Sequence, residues 1–282
     1  MKTTIRLVGG SSGSGMLQGL ERILLISIHT HLKYSTREPC SLLLQIEAAQ
    51  EDTQRCEANL RTIQPDIDWR VIAGEEDIGF RRWGVVDGTF DCTYQAQVRV
   101  ERPDVQLETL RATDFGTLPN DVTKFLMPSR YCYPEDFLEF VPRQFGSLPG
   151  GRLIAGMSNW IKDHFTYDIC ASSGSTTATD SFNARAGVCR DYAHVLIAMS
   201  RSVGIPARLV SAYGPNVLPQ DFHAVAEVFL DGYWHLVDPT GMTQASEIVR
   251  IGVGRDAADV SFMTSYGYME MIKQSVQVSR IA

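Results

Sequence analysis

The sequence lacks any apolar run long enough to span a membrane, although hydrophobic residues make up 44% of its 282 residues. The apolar part of residues 1–8 is too short for the core of a signal peptide, so a cytoplasmic location with no membrane partner is expected. A basic patch is also missing, and the formal net charge of -7 disfavours binding to the phosphate backbone of nucleic acids. With 21% charged residues, the composition is that of a folded globular protein rather than a disordered one.

Cysteine is scarce, and the six cysteines lie far apart, at positions 40, 56, 92, 132, 170 and 189. No two have the spacing of a CxxC pair, which argues against a zinc-binding knuckle, and no metal or organic cofactor is expected. Without a secretion signal, the thiols are expected to be reduced. Most buried thiols are small inert hydrophobic groups, so only local context can mark one of them as functional.

Alternating apolar residues predict a β-rich N-terminal domain over residues 16–125, folded as a sandwich or a barrel. The Gly/Ser-rich run before it makes residues 1–15 a flexible linker or a cloning remnant. Prolines in residues 119–128 end the β-rich part. The predicted strands of this domain are residues 23–34, 41–46, 66–72 and 90–101.

Beyond this boundary the apolar period changes, and residues 126–245 are predicted to form an α+β core. Helices are predicted over residues 136–141, stopped by Pro142, and over residues 153–165. Residues 169–182 are rich in Ser, Thr, Gly and Ala, which predicts a surface loop. The remaining predicted elements are a helix over residues 189–203 that ends at Gly204, core strands over 207–213, 221–230 and 233–238, and β-like runs over 248–253 and 275–281 in a C-terminal tail, residues 246–282, that packs on the preceding domains.

Cys189 is the cysteine with a distinctive context, because Gly187-Val188-Cys189 places it in the first turn of a predicted helix. Unpaired N–H groups and the helix dipole at that end favour an anion, and the thiolate is the reactive form of cysteine. The same N–H groups could stabilise an oxyanion that develops on a substrate. The competing interpretation is a buried thiol that only packs the start of the helix.

A hairpin further on supplies two partners for such a thiol. Asp231-Gly232 is a strong signal for a two-residue turn, and counting outward from it pairs Val225 with Asp238. Because side chains on one face of a strand recur every second residue, His223 and Asp238 become diagonal neighbours on one face. A carboxylate there could orient the imidazole and fix its tautomer. A three-residue turn would instead move Asp238 to the opposite face.

The other histidines are expected to be structural. His235 falls opposite Val228, and His194 points around the helix away from Cys189. His164 lies at the edge of the core, and His29 and His31 alone make a weak metal site. A metal site built on Cys189 and His223 lacks further ligands at convincing spacing.

Four blocks of the sequence resemble the microbial branch of the transglutaminase-like superfamily, in the family's order and over residues 126–243. A less specific resemblance to the module that precedes this core in bacterial members covers Ile28-His29-Thr30-His31-Leu32-Lys33-Tyr34. The four blocks are Arg185-Ala186-Gly187-Val188-Cys189-Arg190-Asp191-Tyr192-Ala193-His194, Gly204-Ile205-Pro206-Ala207-Arg208-Leu209-Val210, Asp221-Phe222-His223-Ala224-Val225-Ala226-Glu227-Val228 and Trp234-His235-Leu236-Val237-Asp238-Pro239-Thr240.

The resemblance implies a papain-like α+β fold, in which a helix that carries the cysteine packs on an antiparallel sheet. It makes Cys189 the nucleophile, His223 the general base and acid, and Asp238 the residue that orients the histidine. Trp160 and Tyr167 are candidate oxyanion or channel residues, with a structural role as the alternative for each. The family often has an aromatic residue two places after the histidine, where this chain has Val225.

The expected activity is acyl transfer from an amide bond of a protein or peptide substrate through a thioester, with protease or amidase hydrolysis favoured. Transglutaminase cross-linking or deamidation is the alternative, since the same triad serves both outcomes. An arylamine N-acetyltransferase is a weaker alternative, because its cysteine lies in a different local motif. A non-catalytic binding module is the rival from another class, and the oligomeric state is left open.

Overall fold

The computed structural model describes residues 23–281, and the predicted linker over residues 1–15 lies outside them. The strands of this part of the chain are β1 (Leu24–Ser35), β2 (Cys40–Leu44), β3 (Gln54–Gln64), β4 (Arg70–Ala73), β5 (Phe80–Val86), β6 (Thr89–Val100), β7 (Thr166–Tyr167), β8 (Ala186–Gly187), β9 (Ala207–Tyr213), β10 (His223–Leu230), β11 (Tyr233–Val237), β12 (Val249–Gly254), β13 (Met263–Ser265) and β14 (Glu270–Ile281). The α-helices are α1 (Phe140–Phe145), α2 (Gly150–His164), α3 (Ala178–Ala184) and α4 (Cys189–Ser202). None of the helices in residues 23–281 is long and apolar enough to cross a membrane.

Two four-stranded antiparallel sheets form the β-rich part, in the orders β14-β1-β6-β3 and β13-β2-β5-β4. Strand β6 alternates between buried and outward residues, so its apolar face contributes Phe90, Tyr94 and Val98 to a shared core. Strand β14 returns from the far end of the chain to pair with β1, with Leu25 opposite Ile281. The N-terminal sheets are therefore completed by strands from the C-terminal end.

A third antiparallel sheet, in the order β11-β10-β9-β12, carries α4 against β9 and β10. Ala226, Val228 and Leu230 of β10 meet the helix in one apolar cluster with residues of α2. This is the α+β arrangement that the sequence predicts, with a helix-borne cysteine on an antiparallel sheet. Strand β12 joins this sheet beside β9.

Helix α4 is buried on nearly all sides, which requires its polar groups to find partners. Asp191 accepts a hydrogen bond from the Val188 backbone N–H at 2.9 Å and so satisfies a donor at the start of the helix. Near the other end, the Arg201 guanidinium donates to the carbonyl of Ala207 at 3.0 and 2.9 Å. Gly204 follows the helix with φ of +75°, the left-handed conformation expected at that position.

The hairpin register predicted from Asp231-Gly232 is confirmed. Leu230 pairs with Tyr233, and His235 lies opposite Val228. Both turn residues have positive φ, 48° and 83°, as a type I′ turn requires. The same register, continued by one pair, brings Asp238 opposite Val225.

Strands β3 and β5 were not predicted. Strand β3 lies at the edge of its sheet, and most of its side chains are exposed or half-buried. Charged and polar residues on an edge strand protect it from pairing with other chains, but they also remove the alternation that a prediction needs. The strand expected over residues 66–72 is shorter and later, as β4.

Two local predictions in the core are wrong. Pro142 does not stop a helix but lies in the first turn of α1, where a missing N–H has no intrahelical partner to lose. Helix α3 begins within the predicted loop over residues 169–182. This helix begins at a capping box in which the Thr177 hydroxyl and the Asp180 carboxylate each bond the other's backbone N–H.

Candidate active site

Cys189 is the first residue of α4, and the backbone just before it, at Gly187, lies close to the first turn of the helix. A Cβ added to Gly187 would lie 2.7 Å from the Asp191 side chain, so glycine is required at this turn. Cys189 has 9% of its surface exposed and lines a cavity of about 420 Å³. The cysteine is therefore both enclosed and accessible from one side.

His223 begins strand β10 and is buried, with 2% of its surface exposed. Its Nε2 lies 2.9 Å from Oδ2 of Asp238, which follows the end of β11. The two residues predicted to meet across the hairpin are thus in hydrogen-bond contact. Because this contact occupies Nε2, the other ring nitrogen, Nδ1, is the one left to act on a second group.

Asp238 is fixed by its surroundings as well as by the histidine. Its Oδ1 accepts from the backbone N–H and the hydroxyl of Thr240 at 2.9 and 2.7 Å, and its Oδ2 accepts from the Thr243 N–H at 3.0 Å. Burial by itself raises the pKa of Asp238, but the hydrogen bond and charge of His223, with the bonds from Thr240, hold it below its usual value. The carboxylate is therefore a stable negative partner for the imidazole.

The His223 imidazole responds to both of its neighbours. Burial alone lowers the pKa of His223, but hydrogen bonds and negative charge from Asp238 and Cys189 raise it to about 10. Nδ1 is buried and has no hydrogen bond of normal geometry within residues 23–281, although the Cys189 thiol is close enough to affect the pKa. The raised pKa favours a protonated imidazole beside Cys189.

Tyr167 lies over the thiol, on the short strand β7 that pairs with β8 just before Cys189. Burial raises the pKa of the Tyr167 phenol, and negative charge on Cys189 raises it further. The backbone N–H of Cys189 acts in the opposite direction and lowers the pKa of the phenol. The hydroxyl is therefore next to the backbone donor at which an oxyanion would be stabilised.

Trp160 is not brought to the cavity. It lies on α2, where the Arg185 guanidinium stacks over its ring at 4.4 Å and Phe140 and Phe182 pack around it. Arg185 has φ of +54° and directly precedes β8, the strand that leads to Cys189. The aromatic cluster therefore packs against the segment just before Cys189. The position agrees with the structural alternative for Trp160 rather than with a channel role.

The other core histidines also lie away from the thiol. His194 is buried, stacks on the Tyr131 ring at 5.2 Å, and its Nε2 accepts from the Ala257 N–H at 3.2 Å. Burial lowers the pKa of His194 well below its ordinary value, with the Arg190 and Arg201 charges acting the same way. It is a neutral packing residue.

Part of the cavity wall could not be predicted. Gly174, from the Ser/Thr-rich stretch before Cys189, and Pro219, from the segment before His223, both line the cavity. The opposite wall comes from residues 257–263, which follow β12 and are remote from Cys189 in sequence. Asp221 also lines the cavity, and its place just before His223 was the available signal for it.

Part of this chain matches a known protein family, and the whole described fold resembles a solved structure. Residues 151–239 match the model of the family described as the transglutaminase-like superfamily. A solved structure from Cytophaga hutchinsonii, described as a candidate cysteine protease, is similar with a TM-score of 0.86 and 26% identity, covering 93% of this chain and 92% of that one.

Two uncharacterized mycobacterial proteins are similar over shorter stretches. One, from Mycobacterium leprae, is 29% identical over 120 residues, which are 39% of this chain and 42% of that protein. The other, from Mycobacterium tuberculosis, is 30% identical over 159 residues, which are 50% of this chain and 48% of that protein. The chain spans less than half the length of these curated relatives.

Proposed function

Because residues 151–239 form a domain of the transglutaminase-like superfamily, we propose that the protein is a cysteine-nucleophile enzyme that transfers acyl groups from amide bonds. The observation that carries this proposal is the buried His223, bonded to Asp238 on one side and close to the Cys189 thiol on the other. We assign Cys189 as nucleophile, His223 as general acid and base, and Asp238 as the residue that positions the imidazole. A protein or peptide is the proposed substrate.

In the acylation step, the Cys189 thiolate attacks the carbonyl carbon and forms a carbon–sulfur bond, while the carbonyl electron pair moves to the oxygen. We assign stabilisation of that oxyanion to the Cys189 backbone N–H and the helix dipole of α4, with the nearby Tyr167 hydroxyl as a further donor. When the tetrahedral species collapses, the carbon–nitrogen bond breaks and the leaving amine takes the Nδ1 proton of His223. The product is a thioester on Cys189.

In the second step an incoming nucleophile resolves the thioester. His223 takes the proton of a water molecule, the oxygen attacks the carbonyl carbon, and the carbon–sulfur bond breaks to release a carboxylic acid and the thiolate. We favour this hydrolysis because the Cytophaga hutchinsonii structure, similar over 93% of this chain, is described as a candidate cysteine protease. The description of the matched family supports the alternative, in which an amine resolves the thioester or a glutamine side chain is deamidated.

The experiment is a direct comparison of products with the wild-type protein and Cys189→Ala. A protein substrate such as casein is tested for new amino termini, for ammonia release and for incorporation of a fluorescent primary amine. Proteolysis predicts new amino termini without amine incorporation, and transglutaminase chemistry predicts ammonia release with incorporation. No thiol-dependent product of any kind, together with unchanged biological activity of Cys189→Ala, would replace the enzyme with a non-catalytic binding module. The cytoplasmic location and the division at residues 125 and 245 stay predictions.

A further inference from the structure

The cavity wall carries two side chains of fixed charge besides the catalytic histidine, Arg190 and Asp221, among the residues described. The Arg190 guanidinium bonds protein groups through its Nε and Nη2 atoms. It donates to the buried Asp191 carboxylate at 3.3 and 3.1 Å, and to the Ser172 hydroxyl and Ser173 carbonyl at 2.7 Å each. Its charge is therefore compensated inside the fold.

The Asp221 carboxylate is held in place but not neutralised. Its Oδ1 accepts from the Gln274 side-chain amide and from the Phe222 N–H, both at 2.8 Å. Gln274 is in turn fixed by the Tyr34 hydroxyl, which donates to its Oε1 at 2.8 Å. Within residues 23–281, no lysine, arginine or histidine forms an ion pair with Asp221, and its Oδ2 makes no hydrogen bond.

The position of Asp221 relates its charge to the reacting atoms. Two residues before His223, its Cα lies within about 7 Å of the histidine Cα even in a fully extended chain. Its negative charge contributes to the raised pKa of Tyr167, the phenol beside the Cys189 thiol. Phe222, between the two residues, stacks on Phe262 with ring centroids 4.4 Å apart, which makes this part of the wall rigid.

An uncompensated carboxylate in a partly enclosed cavity binds a cation more strongly than one in open water, because the surrounding dielectric is lower. We propose that Asp221 forms a cation subsite of the cavity, which binds an ammonium or guanidinium group of the substrate beside Cys189. The cation-subsite proposal rests on the proposed function only where it treats the cavity as an active site. The predicted substrate class is a peptide with a lysine or arginine side chain next to the reacting amide.

The test measures how fast the Cys189 thiol reacts with methanethiosulfonates that differ in charge. The thiolate attacks the sulfenyl sulfur and forms a disulfide, and methanesulfinate leaves, so no enzyme turnover is needed. The cationic 2-ammonioethyl reagent is compared with the neutral 2-hydroxyethyl reagent of similar size, and modification of Cys189 is followed by mass spectrometry. We expect the cation-to-neutral rate ratio at Cys189 to fall roughly fivefold or more in Asp221→Asn at low ionic strength.

Matched variants make the result specific. Asp221→Glu should keep most of the cation preference, and Glu135→Gln, which removes an exposed carboxylate away from the cavity wall, should keep all of it. The rate at which the neutral reagent modifies Cys189 in Asp221→Asn shows whether this variant still folds with an accessible cavity. A ratio that Asp221→Asn leaves unchanged overturns the proposal, as does a Cys189 that reacts with the neutral reagent but not with the cation.

A second measurement separates this subsite from the proposed function. Peptides that differ only in lysine or norleucine next to the reacting amide are compared as substrates. The subsite predicts a KM for the lysine peptide that rises roughly fivefold in Asp221→Asn, with kcat and the norleucine peptide little changed. If no peptide is turned over but the reagent ratio still falls, the acyl-transfer proposal fails and the cation subsite stands.

Discussion

Strand β10 carries two buried ionisable residues, His223 at its start and Glu227 further along. Their surroundings differ. The Glu227 carboxylate is enclosed by the guanidiniums of Arg208, at 2.7 Å, and Arg250, at 3.0 Å. Those two charges hold the pKa of Glu227 below its usual value although burial raises it. His223 has one carboxylate partner, a free ring nitrogen and an open cavity beside it.

Burial of a charged group does not by itself distinguish a proposed catalytic residue from a structural one. Both positions lie on one strand, and both carry shifted pKa values. Glu227 is fully buried between the permanent cations Arg208 and Arg250 and does not line the cavity, which is the pattern of a structural ion pair. His223 differs because Asp238 fixes its Nε2, while its Nδ1 makes no hydrogen bond of normal geometry in the described residues and is available for the proposed chemistry.

Removing the proposed nucleophile should have the largest effect. Cys189→Ala is expected to lower kcat/KM for the natural reaction by about 10⁴-fold or more, because no thioester can form. The melting temperature should stay within a few degrees of wild type, since the thiol makes no hydrogen bond of normal geometry to a side chain in the described part of the chain. Turnover of Cys189→Ala at more than a tenth of the wild-type rate would be incompatible with this assignment.

Removing the carboxylate that positions the imidazole comes next. Asp238→Asn should lower kcat by about 100-fold or more, because an amide cannot hold the same tautomer or stabilise the imidazolium. Single-turnover kinetics with the folded variant provide the measurement. A matched control is Thr240→Val, which removes one hydrogen bond to Asp238 but leaves its charge, and should cost far less activity.

Removing the buried charge of Glu227 should lower the stability of the protein but leave the reactivity of Cys189 unchanged. Glu227→Gln leaves the Arg208 and Arg250 guanidiniums buried beside a neutral amide, and it is expected to lower the free energy of unfolding by about 3 kcal/mol. Alkylation of Cys189 in the folded variant should stay close to wild type. Urea unfolding gives the stability, with the exposed Glu135→Gln as a control expected within about 0.5 kcal/mol of wild type. A Glu227→Gln variant that is as stable as wild type but has an unreactive Cys189 would contradict the structural role given to Glu227.

The pH dependence of stability and of activity should depend on the ion pair between His223 and Asp238. His223 has a pKa of about 10 in the fold, above its ordinary 6.5, so its protonated form stabilises the protein fully below about pH 6.5. That contribution is lost as the pH rises through about 10, and activity should fall over the same range because the proton for the leaving amine is gone. In Asp238→Asn the alkaline limb should move to lower pH, which a pH–rate profile would measure.

The smallest expected effect concerns the phenol above the thiol. Tyr167→Phe keeps the ring but removes one donor to the oxyanion, and the backbone N–H of Cys189 remains. We expect kcat to fall by less than about tenfold, with KM nearly unchanged. A rise in kcat would instead mean that the hydroxyl blocks the oxyanion position and must move away before substrate binds.

Local signals were enough to predict the centre of the site. Asp231-Gly232 set the turn, and the two-residue period of the strands then placed His223 beside Asp238. Gly204 marked the end of α4, whose start carries Cys189. These predictions depend on residues close together in the chain, where turn and cap chemistry decide the outcome.

The features that were missed depend on distant contacts or on weak patterns. The wall formed by residues 257–263, and the Gln274 amide that fixes Asp221, come from beyond the core and need the tertiary fold. Strand β3 is polar because it lies at a sheet edge, so it has no apolar period. Helix α3 had a readable signal in Thr177 and Asp180, a capping box that the Ser/Thr-rich composition obscured.

The most direct test of the account is the rate at which iodoacetamide alkylates Cys189 at pH 7, with Cys170 as an internal reference. Cys170 is exposed, whereas Cys189 lies beside His223 in the cavity. We predict that Cys189 reacts faster than Cys170, and that His223→Ala slows Cys189 by about tenfold or more without changing Cys170. A Cys189 that reacts more slowly than Cys170 and is indifferent to His223→Ala would contradict the claim that this thiol is the nucleophile.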